Sequence, residues 1–567
     1  MRSRAIAVTD VAARALRTAF PVLAIVAIYY ALMLALLNIM QALGQRLGVI
    51  ASGIDKHAHF ATWEGPALFP ALLALFMIVL AYELWMRKRA AIIVLASFIV
   101  VQAVADAIHG MRRPAMILTI MVAAVLLLAI KQFPGKPNPA SIRKLKIAVP
   151  LFAGLFFADG IIGLYLMRGS LGLGSLNVYG YAYKSIAVAV GASGLRFAGA
   201  TILFKASLSI LVIMGIIYVF FLLFRPYRET AGQSPEARRM ARKIVEDYGS
   251  DSLAYFNTRA DKDLYFYGDK SFLAYRMVGD VALISGDPVG PSEMIPDIME
   301  SFSDYCLERG WRLGMLGGNG NYLPYYEELG LKSWYLGDEA IINVDSFSLE
   351  GRTVRKLRQS VNKLQKTGYS MEFMYTASIP THMKHDLGRI SLDWRGGKEE
   401  TGYAMGLGRL MSAEDPDCLL AVAYDPDREP IGFLHFVPMY PRVGYSLDVH
   451  RSKVGSPGAL SEFMIARTAE FLRDEGYHQM SLHFLALAEH YRDDREIEGS
   501  AFYRWVANLL DHILPIVSVY HFDKKFNPTW KKRVILHHGP ADLLLVGLSA
   551  VSAESALSIT RPSDRKK

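Results

Sequence analysis

Residues 20–43 read FPVLAIVAIYYALMLALLNIMQAL, twenty-four positions without a charge. At about 1.5 Å of rise per residue, a helix of that length crosses a hydrocarbon core about 30 Å thick. The stretch is too long for a signal-peptide core, and no small-residue cleavage pattern leads from it into a soluble domain. It therefore opens a membrane region. Five more apolar segments follow, Ala67–Met86, Ala90–Ile108, Ala115–Ile130, Ile147–Met167 and Thr201–Phe224, of which the fourth is short. The expectation is a membrane domain of about six transmembrane helices over residues 1–226.

Lysine and arginine near the spans set the orientation. Arg2, Arg4, Arg14 and Arg17 precede the first span, and Arg87, Lys88 and Arg89 follow the second. Lys131, Lys136, Arg143, Lys144 and Lys146 separate the fourth from the fifth, and Arg225 and Arg228 follow the sixth. These alternate loops share one side, so both termini are expected in the cytoplasm. Arg112 and Arg113 dissent. Glu83, Asp106, Asp159 and Lys205 fall within the spans. Asp159 is expensive there unless paired or hydrated, and it reads equally as an inter-helix contact or a headgroup or ion site. The glycine-rich piece RGSLGLGSLNVYGYAYK, Arg168–Lys184, reads as a loop.

The whole chain has 567 residues, is 52% hydrophobic and carries a formal charge of +9, a balance that favours anionic lipid or nucleic acid as partner. Its two cysteines, Cys306 and Cys418, form no CxxC pair, and the close pairs His382/His385 and His537/His538 lack a third ligand. Neither a disulfide framework nor a metal site is expected. Beyond Arg225 the composition turns to mixed charge and the pattern to α/β. Ser234 and Pro235 open a helix to Tyr248. Strands are expected at Ser271–Val278, Val281–Ser285, Arg312–Leu316, Ala340–Val344, Met371–Tyr375, Leu419–Ala423, Ile431–Pro438, Gly444–Val449 and Gln479–Leu485. Helices are expected at Ser292–Arg309, Thr353–Lys366, His382–Asp393 and Leu460–Glu475. Two strand–helix–strand halves join near Asp345–Gly351, giving domains 227–345 and 346–545 and a C-terminal tail 546–567. There is no Walker loop, no G-x-S-x-G elbow and no dinucleotide fingerprint; GGNGNY, Gly317–Tyr322, reads as a strand-exit turn.

One helix stands out. In GRTVRKLRQSVNKLQKTGY, Gly351–Tyr369, six residues are basic and none is acidic. Val354, Leu357, Val361 and Leu364 form its apolar stripe, leaving Arg355, Lys356 and Lys363 among the cations on the other side. With no i,i+4 partners the charges repel one another, so either a solvated face or an anionic partner fits. Phosphate backbone and lipid headgroups both qualify.

Several phrases together resemble the C-terminal half of the phosphatidylglycerol lysyltransferases, the multiple-peptide-resistance-factor family. They are ARKIVEDYGSDSLAYFNTRADKDLYFYGDKSFLAYRMVGDVALISGDPVGP (Ala241–Pro291), LGDEAIINVDSFSLEGRTVRKLRQSVNKLQKTGY, WRGGKEETGYAMGLGRL (Trp394–Leu410), GYSLDVHR (Gly444–Arg451) and FDKKFNPTW (Phe522–Trp530). The match covers most of residues 236–535 and is closest to a short form, here without flippase spans or a fused lysyl-tRNA synthetase. It implies two tandem acetyltransferase-like (GNAT) folds behind the membrane helices. It further implies transfer of an aminoacyl group, lysyl foremost, from aminoacyl-tRNA to phosphatidylglycerol in the bacterial plasma membrane. No cofactor is implied beyond that co-substrate, and a homo-oligomer is possible in such a family.

The family's D-x-x-R and K-F-x-P-x-W patterns match Asp448, Arg451 and Lys525, which the resemblance makes catalytic; a strand-end salt bridge and a surface lysine are the plain alternative. Trp394, Glu462 and the basic-helix residues Arg355, Lys356 and Lys363 become substrate-binding. An aminoacyl ester is already activated, so no nucleotide is needed, only a base or orienting carboxylate and positive charge around the phosphodiester and oxyanion. Three departures border the aminoacyl pocket: Pro457-Gly458-Ala459 where the family reads P-N-G, His450 between Asp448 and Arg451, and HFLALAE at His483–Glu489. They leave alanyl, arginyl and ornithyl donors, or another lipid acceptor, open. A CoA-dependent GNAT N-acyltransferase and a non-enzymatic lipid-binding or lipid-flipping protein are the competing classes.

Overall fold

The computed structural model describes residues 22–47, 68–108, 113–189, 193–225, 234–396, 402–486, 488 and 516–554. Arg2, Arg4, Arg14, Arg17, Arg112, Arg228 and Glu489 lie outside them. The chain divides into two compact units, residues 1–228 with 305–311, and residues 229–304 with 312–567.

The first unit is helical. Val22–Leu47, Leu68–Trp85, Arg89–Ile108, Arg113–Leu128, Pro139–Leu166 and Ala200–Phe224 correspond to the six expected segments. Pro139–Leu166 and Ala200–Phe224 are long and apolar enough to cross a membrane, and shorter apolar helical runs cover Ala24–Met40, Ala71–Trp85 and Arg89–Val101. Ala24, Ala27, Ala31 and Ala35 form a buried small-residue face, clustered with Met77, Leu80, Ala81 and Leu84. Such residues let helix backbones approach closely. The opposite surfaces expose large apolar side chains, among them Tyr29, Leu36, Leu75, Met121, Ile147, Leu151, Ile162, Leu203 and Ile217. Asp159 accepts a hydrogen bond from Ser207 Oγ at 3.1 Å, and Glu83 pairs with Lys88 at 2.7 Å. The Arg168–Lys184 loop reading needs correction: a helix starts at Val178 and runs to Ala189, with Tyr181, Ser185 and Val188 buried at helical spacing.

The second unit is built on one eleven-stranded sheet ordered β1-β2-β3-β4-β11-β5-β10-β9-β8-β7-β6. Its strands are β1 (Asp263–Tyr267), β2 (Ser271–Val278), β3 (Val281–Ser285), β4 (Arg312–Asn319), β5 (Lys332–Asn343), β6 (Ser370–Tyr375), β7 (Leu419–Tyr424), β8 (Pro430–Met439), β9 (Gly444–Ser452), β10 (Gln479–Ala486) and β11 (Thr529–His537). The plan repeats. An antiparallel run, β1-β2-β3 and then β6-β7-β8-β9, ends in a parallel pair, β3/β4 and then β9/β10. This is the tandem GNAT-like arrangement expected.

The sheet does not break at residue 345. β11 enters between β4 and β5, and β5 pairs with β10, so strands from both halves interleave at the centre. The 545/546 boundary also falls inside a helix, Pro540–Glu554, whose Val546, Ala550 and Ala553 pack with Val281, Leu283 and Leu316. Its polar end is fixed too, because Glu554 accepts the Tyr403 and Ala404 amides at 2.7 and 2.8 Å. The Gly317–Tyr322 reading is half right: β4 runs through Gly317 and Gly318 to Asn319, and only Gly320–Tyr322 is a turn of 3₁₀ helix.

β11 escaped the sequence reading because its inward positions are charged. Arg533, 1% exposed, binds Asp251 at 2.9 Å and Glu339 at 2.7 Å, and Lys531 binds Asp251 at 2.8 Å. Burial alone would raise the Asp251 carboxyl, but Arg533 and Lys531 hold it well below the usual range. Burial, with Asp251 nearby, pushes neighbouring Asp287 up to about 6. Here β3 pairs with β4 along its whole length, and this buried ionic cluster lies just beyond its end.

Candidate active site

The other parallel pair behaves differently. β9 and β10 are hydrogen-bonded only from Gly444–Ser446 to Gln479–Ser481, although they continue to Ser452 and Ala486. Gly444 allows the tight start, since a Cβ there would collide with the Gln479 carbonyl. Beyond Ser446 the strands no longer pair. Carboxyl ends of parallel strands are where open α/β sheets admit ligands.

Asp448 and Arg451 lie on this part of β9. Three apart, they would face opposite sides of a regular strand. A bulge changes that: His435 pairs with Val449 and Phe436 with Leu447, leaving Asp448 as the extra residue. Val449 therefore packs with Phe433 and with Leu387 and Ile390 of the Thr381–Arg395 helix, on the same side as Asp448 and Arg451. Leu447 and His450 face the Leu460–Asp474 helix instead, Leu447 in the core with Leu460 and Phe463, His450 bonded to Ser461 at 3.2 Å.

Arg451 stacks over Trp394, its guanidinium carbon 4.1 Å from the ring centroid, and Trp394 is 51% exposed. The Asp448 side chain is 2% exposed and turns inward. Its Oδ1 accepts the Leu407 amide at 2.8 Å, and its Oδ2 lies 2.8 Å from His435 Nδ1.

Lys525 sits elsewhere. It follows the Ile516–Asp523 helix in a single 3₁₀ turn, fixed by buried Phe526 and by Asn527 at φ +50°, a conformation asparagine tolerates. Its Nζ is 2.8 Å from Glu462 Oε1, on the first turn of the Leu460–Asp474 helix. Asp448, Arg451 and Lys525, expected to line one pocket, each take a different partner. Arg451 joins Trp394, Lys525 joins Glu462, and Asp448 joins His435.

Around Lys525 the groups interact closely. His483 Nε2 is 2.9 Å from Asp523, a fully buried carboxylate that burial raises and His483 opposes. Burial, then His483 and Arg451, pushes His450 down to about 4, so it is neutral at physiological pH. The basic helix, observed as Arg355–Lys366, buries Leu357, Val361 and Leu364 and leaves Arg355, Lys356 and Lys363 exposed. None of those three forms an ion pair among the described residues. Among the same residues no cluster of His, Cys, Asp and Glu is arranged to hold a metal.

Residues 242–537 match the family model described as phosphatidylglycerol lysyltransferase, C-terminal. The chain belongs to this family. It is 29% identical over 442 residues to the lysylphosphatidylglycerol biosynthesis bifunctional protein LysX of Mycolicibacterium gilvum, covering 76% of this chain and 40% of that protein. With LysX of Rhodococcus jostii it shares 31% over 344 residues, 60% of this chain and 31% of the relative. The chain therefore spans less than half the length of these relatives. The solved structure of L-PGS from Bacillus licheniformis superposes with a TM-score of 0.51 at 19% identity, covering 57% of this chain and 97% of that one. It shows a shared fold for the second unit.

His435 is the residue the sequence reading missed. It lies inside the apolar run IGFLHFVP, where a lone histidine reads as core; only the β8–β9 register reveals its carboxylate partner.

Proposed function

We propose that this chain is an integral-membrane aminoacyltransferase. It moves an aminoacyl group, lysyl foremost, from aminoacyl-tRNA to the glycerol hydroxyl of phosphatidylglycerol and so makes a cationic lipid. Family membership across residues 242–537 carries the reading, and the LysX relatives are named for lysylphosphatidylglycerol biosynthesis. The ends of β9 and β10, which no longer pair with each other, fit the chemistry, with cations beside them. Arg451, its guanidinium carbon 4.1 Å over the Trp394 ring, suits a phosphodiester that a planar guanidinium can grip through two oxygens. Lys525 and Glu462 bring a cation and a carboxylate to the other side of β9, suited to an oxyanion and to the donor's amino group. The exposed cations of the Arg355–Lys366 helix suit tRNA phosphates.

Six apolar helices that expose large apolar side chains support a multi-pass membrane domain, with the second unit in the cytoplasm where charged tRNA is found. The test is the lipid extract of cells expressing the chain, separated and stained for primary amines. A new ninhydrin-positive phospholipid supports the reading; an unchanged profile at good expression contradicts it.

A further inference from the structure

We infer that His435 is the general base of the transfer and that Asp448 acts through it, an assignment that rests on the aminoacyl-transfer reading above. Asp448 has little left to offer a substrate. Its side chain is buried, and each oxygen already has a protein partner, the Leu407 amide on one and His435 on the other. What an ionised carboxylate does to an imidazole at 2.8 Å is fix its tautomer. Nδ1 keeps the proton and donates it, and Nε2 is left with the lone pair. That second nitrogen is buried and has no hydrogen-bond partner among the described residues. A buried polar atom without a partner is costly, and a catalytic role is one reason a fold keeps one.

The position fits a reacting group. His435 shares its face of β8 with Phe433 and Val437. Val437 packs with Leu407 and Cys418 of its own half and with Tyr255, Phe256 and Phe272 of the first, so this face lies along the seam between the two halves. The cover over it is the segment Gly402–Leu410, which carries three glycines. It is held by main-chain bonds to Arg259 and Glu554 and by the Leu407 amide on Asp448. For the lipid hydroxyl to reach Nε2 this segment has to move.

The step balances. Nε2 takes the glycerol hydroxyl proton as that oxygen bonds to the ester carbonyl carbon. Collapse of the tetrahedral intermediate breaks the bond from this carbon to the tRNA ribose oxygen, and the imidazolium returns its proton to that oxygen. One ester replaces another and the imidazole ends neutral.

A pair that only pins the Gly402–Leu410 segment would look the same at rest, and His435→Asn separates the two. Asparagine places an amide nitrogen where Nδ1 was, able to donate to Asp448, and nothing where Nε2 was. Full-length wild type and variant are compared in single-turnover transfer from charged tRNA to phosphatidylglycerol vesicles, with a melting curve for each. The base assignment predicts a folded His435→Asn variant at least about a hundredfold slower, with apparent affinity for charged tRNA within about threefold of wild type. A rate within about threefold of wild type overturns it and leaves a structural pin. Asp448→Asn keeps the imidazole and should retain measurable transfer, losing less than His435→Asn. If His435→Asn does not fold, this second variant decides: transfer slowed more than about threefold but still measurable supports the assignment, a rate within about threefold of wild type leaves a structural pin, and none at all in a folded protein makes Asp448 itself the base. Inactive wild type is a different result, which removes the aminoacyl-transfer reading and this assignment with it.

Discussion

Neutralising Arg355, Lys356 and Lys363 together tests whether the basic helix meets phosphates. All three are exposed and without ion pairs among the described residues, while the helix is anchored through Leu357, Val361 and Leu364. Their replacement by glutamine should therefore leave the melting temperature nearly unchanged, because solvated charges contribute about 0–1 kcal/mol. Binding should respond differently. Each phosphate contact steepens the dependence of log K on log salt by about 0.9 on duplex DNA, taken here for the acceptor-stem duplex, and about 0.7 on single strands. Three contacts on the acceptor stem then give a slope about 2.7 steeper in the wild type. Between 50 and 200 mM salt, roughly a fourfold step, the wild type should lose about 40-fold more affinity than the triple variant. Filter binding of charged tRNA across a salt series reads this directly. Equal slopes in the two proteins would refute the reasoning and return the helix to a solvated face.

Arg451→Lys should slow transfer about a hundredfold with little change in melting, since lysine reproduces neither the bidentate grip nor the stacking on Trp394; near-native single-turnover rates would remove Arg451 from the site. Lys525→Ala should cost a similar factor, and a rate loss explained by unfolding would count against it. Arg533→Met removes the buried cation between partly exposed Asp251 and fully buried Glu339, and should destabilise the second unit by about 3–5 kcal/mol; a loss under about 1 kcal/mol in urea titration would show that the cluster relaxes. His450 is pushed down to about 4 in the folded chain, so the unfolded state binds the extra proton between that value and about 6.5. Stability should rise with pH through this window, by no more than about 3 kcal/mol, and His450→Asn should flatten that slope in denaturant titrations run from pH 4 to 7.

The parts of the fold that were legible in the sequence are those whose side chains obey one period. The stripe Val354, Leu357, Val361 and Leu364 is buried as expected, and the helix before β1 begins where Ser234 caps it, accepting the Ala237 amide at 3.2 Å. Two of the missed elements bury charge. β11 carries Lys531 and Arg533 inward, and the first half of β5 leads into buried Asp338 and Glu339, so neither shows the apolar alternation of a strand. The interleaving of β11 between β4 and β5 is likewise invisible, because it joins residues about two hundred positions apart. The family phrases named Asp448, Arg451 and Lys525, and with them Trp394 and Glu462, but nothing in the sequence joined Asp448 to His435. A bulge decides which side of β9 Asp448 faces, and no sequence period announces one extra residue.

The central claim, that this chain joins an aminoacyl group to a lipid, is most directly tested with purified full-length protein, tRNA charged with radiolabelled lysine, and phosphatidylglycerol vesicles. The account predicts label moving into the chloroform phase as a single lipid, dependent on both the charged tRNA and phosphatidylglycerol, with parallel reactions using alanyl- and arginyl-tRNA fixing the donor. Label that stays on tRNA or is released only as free amino acid, with every donor and with folded protein present, would contradict it.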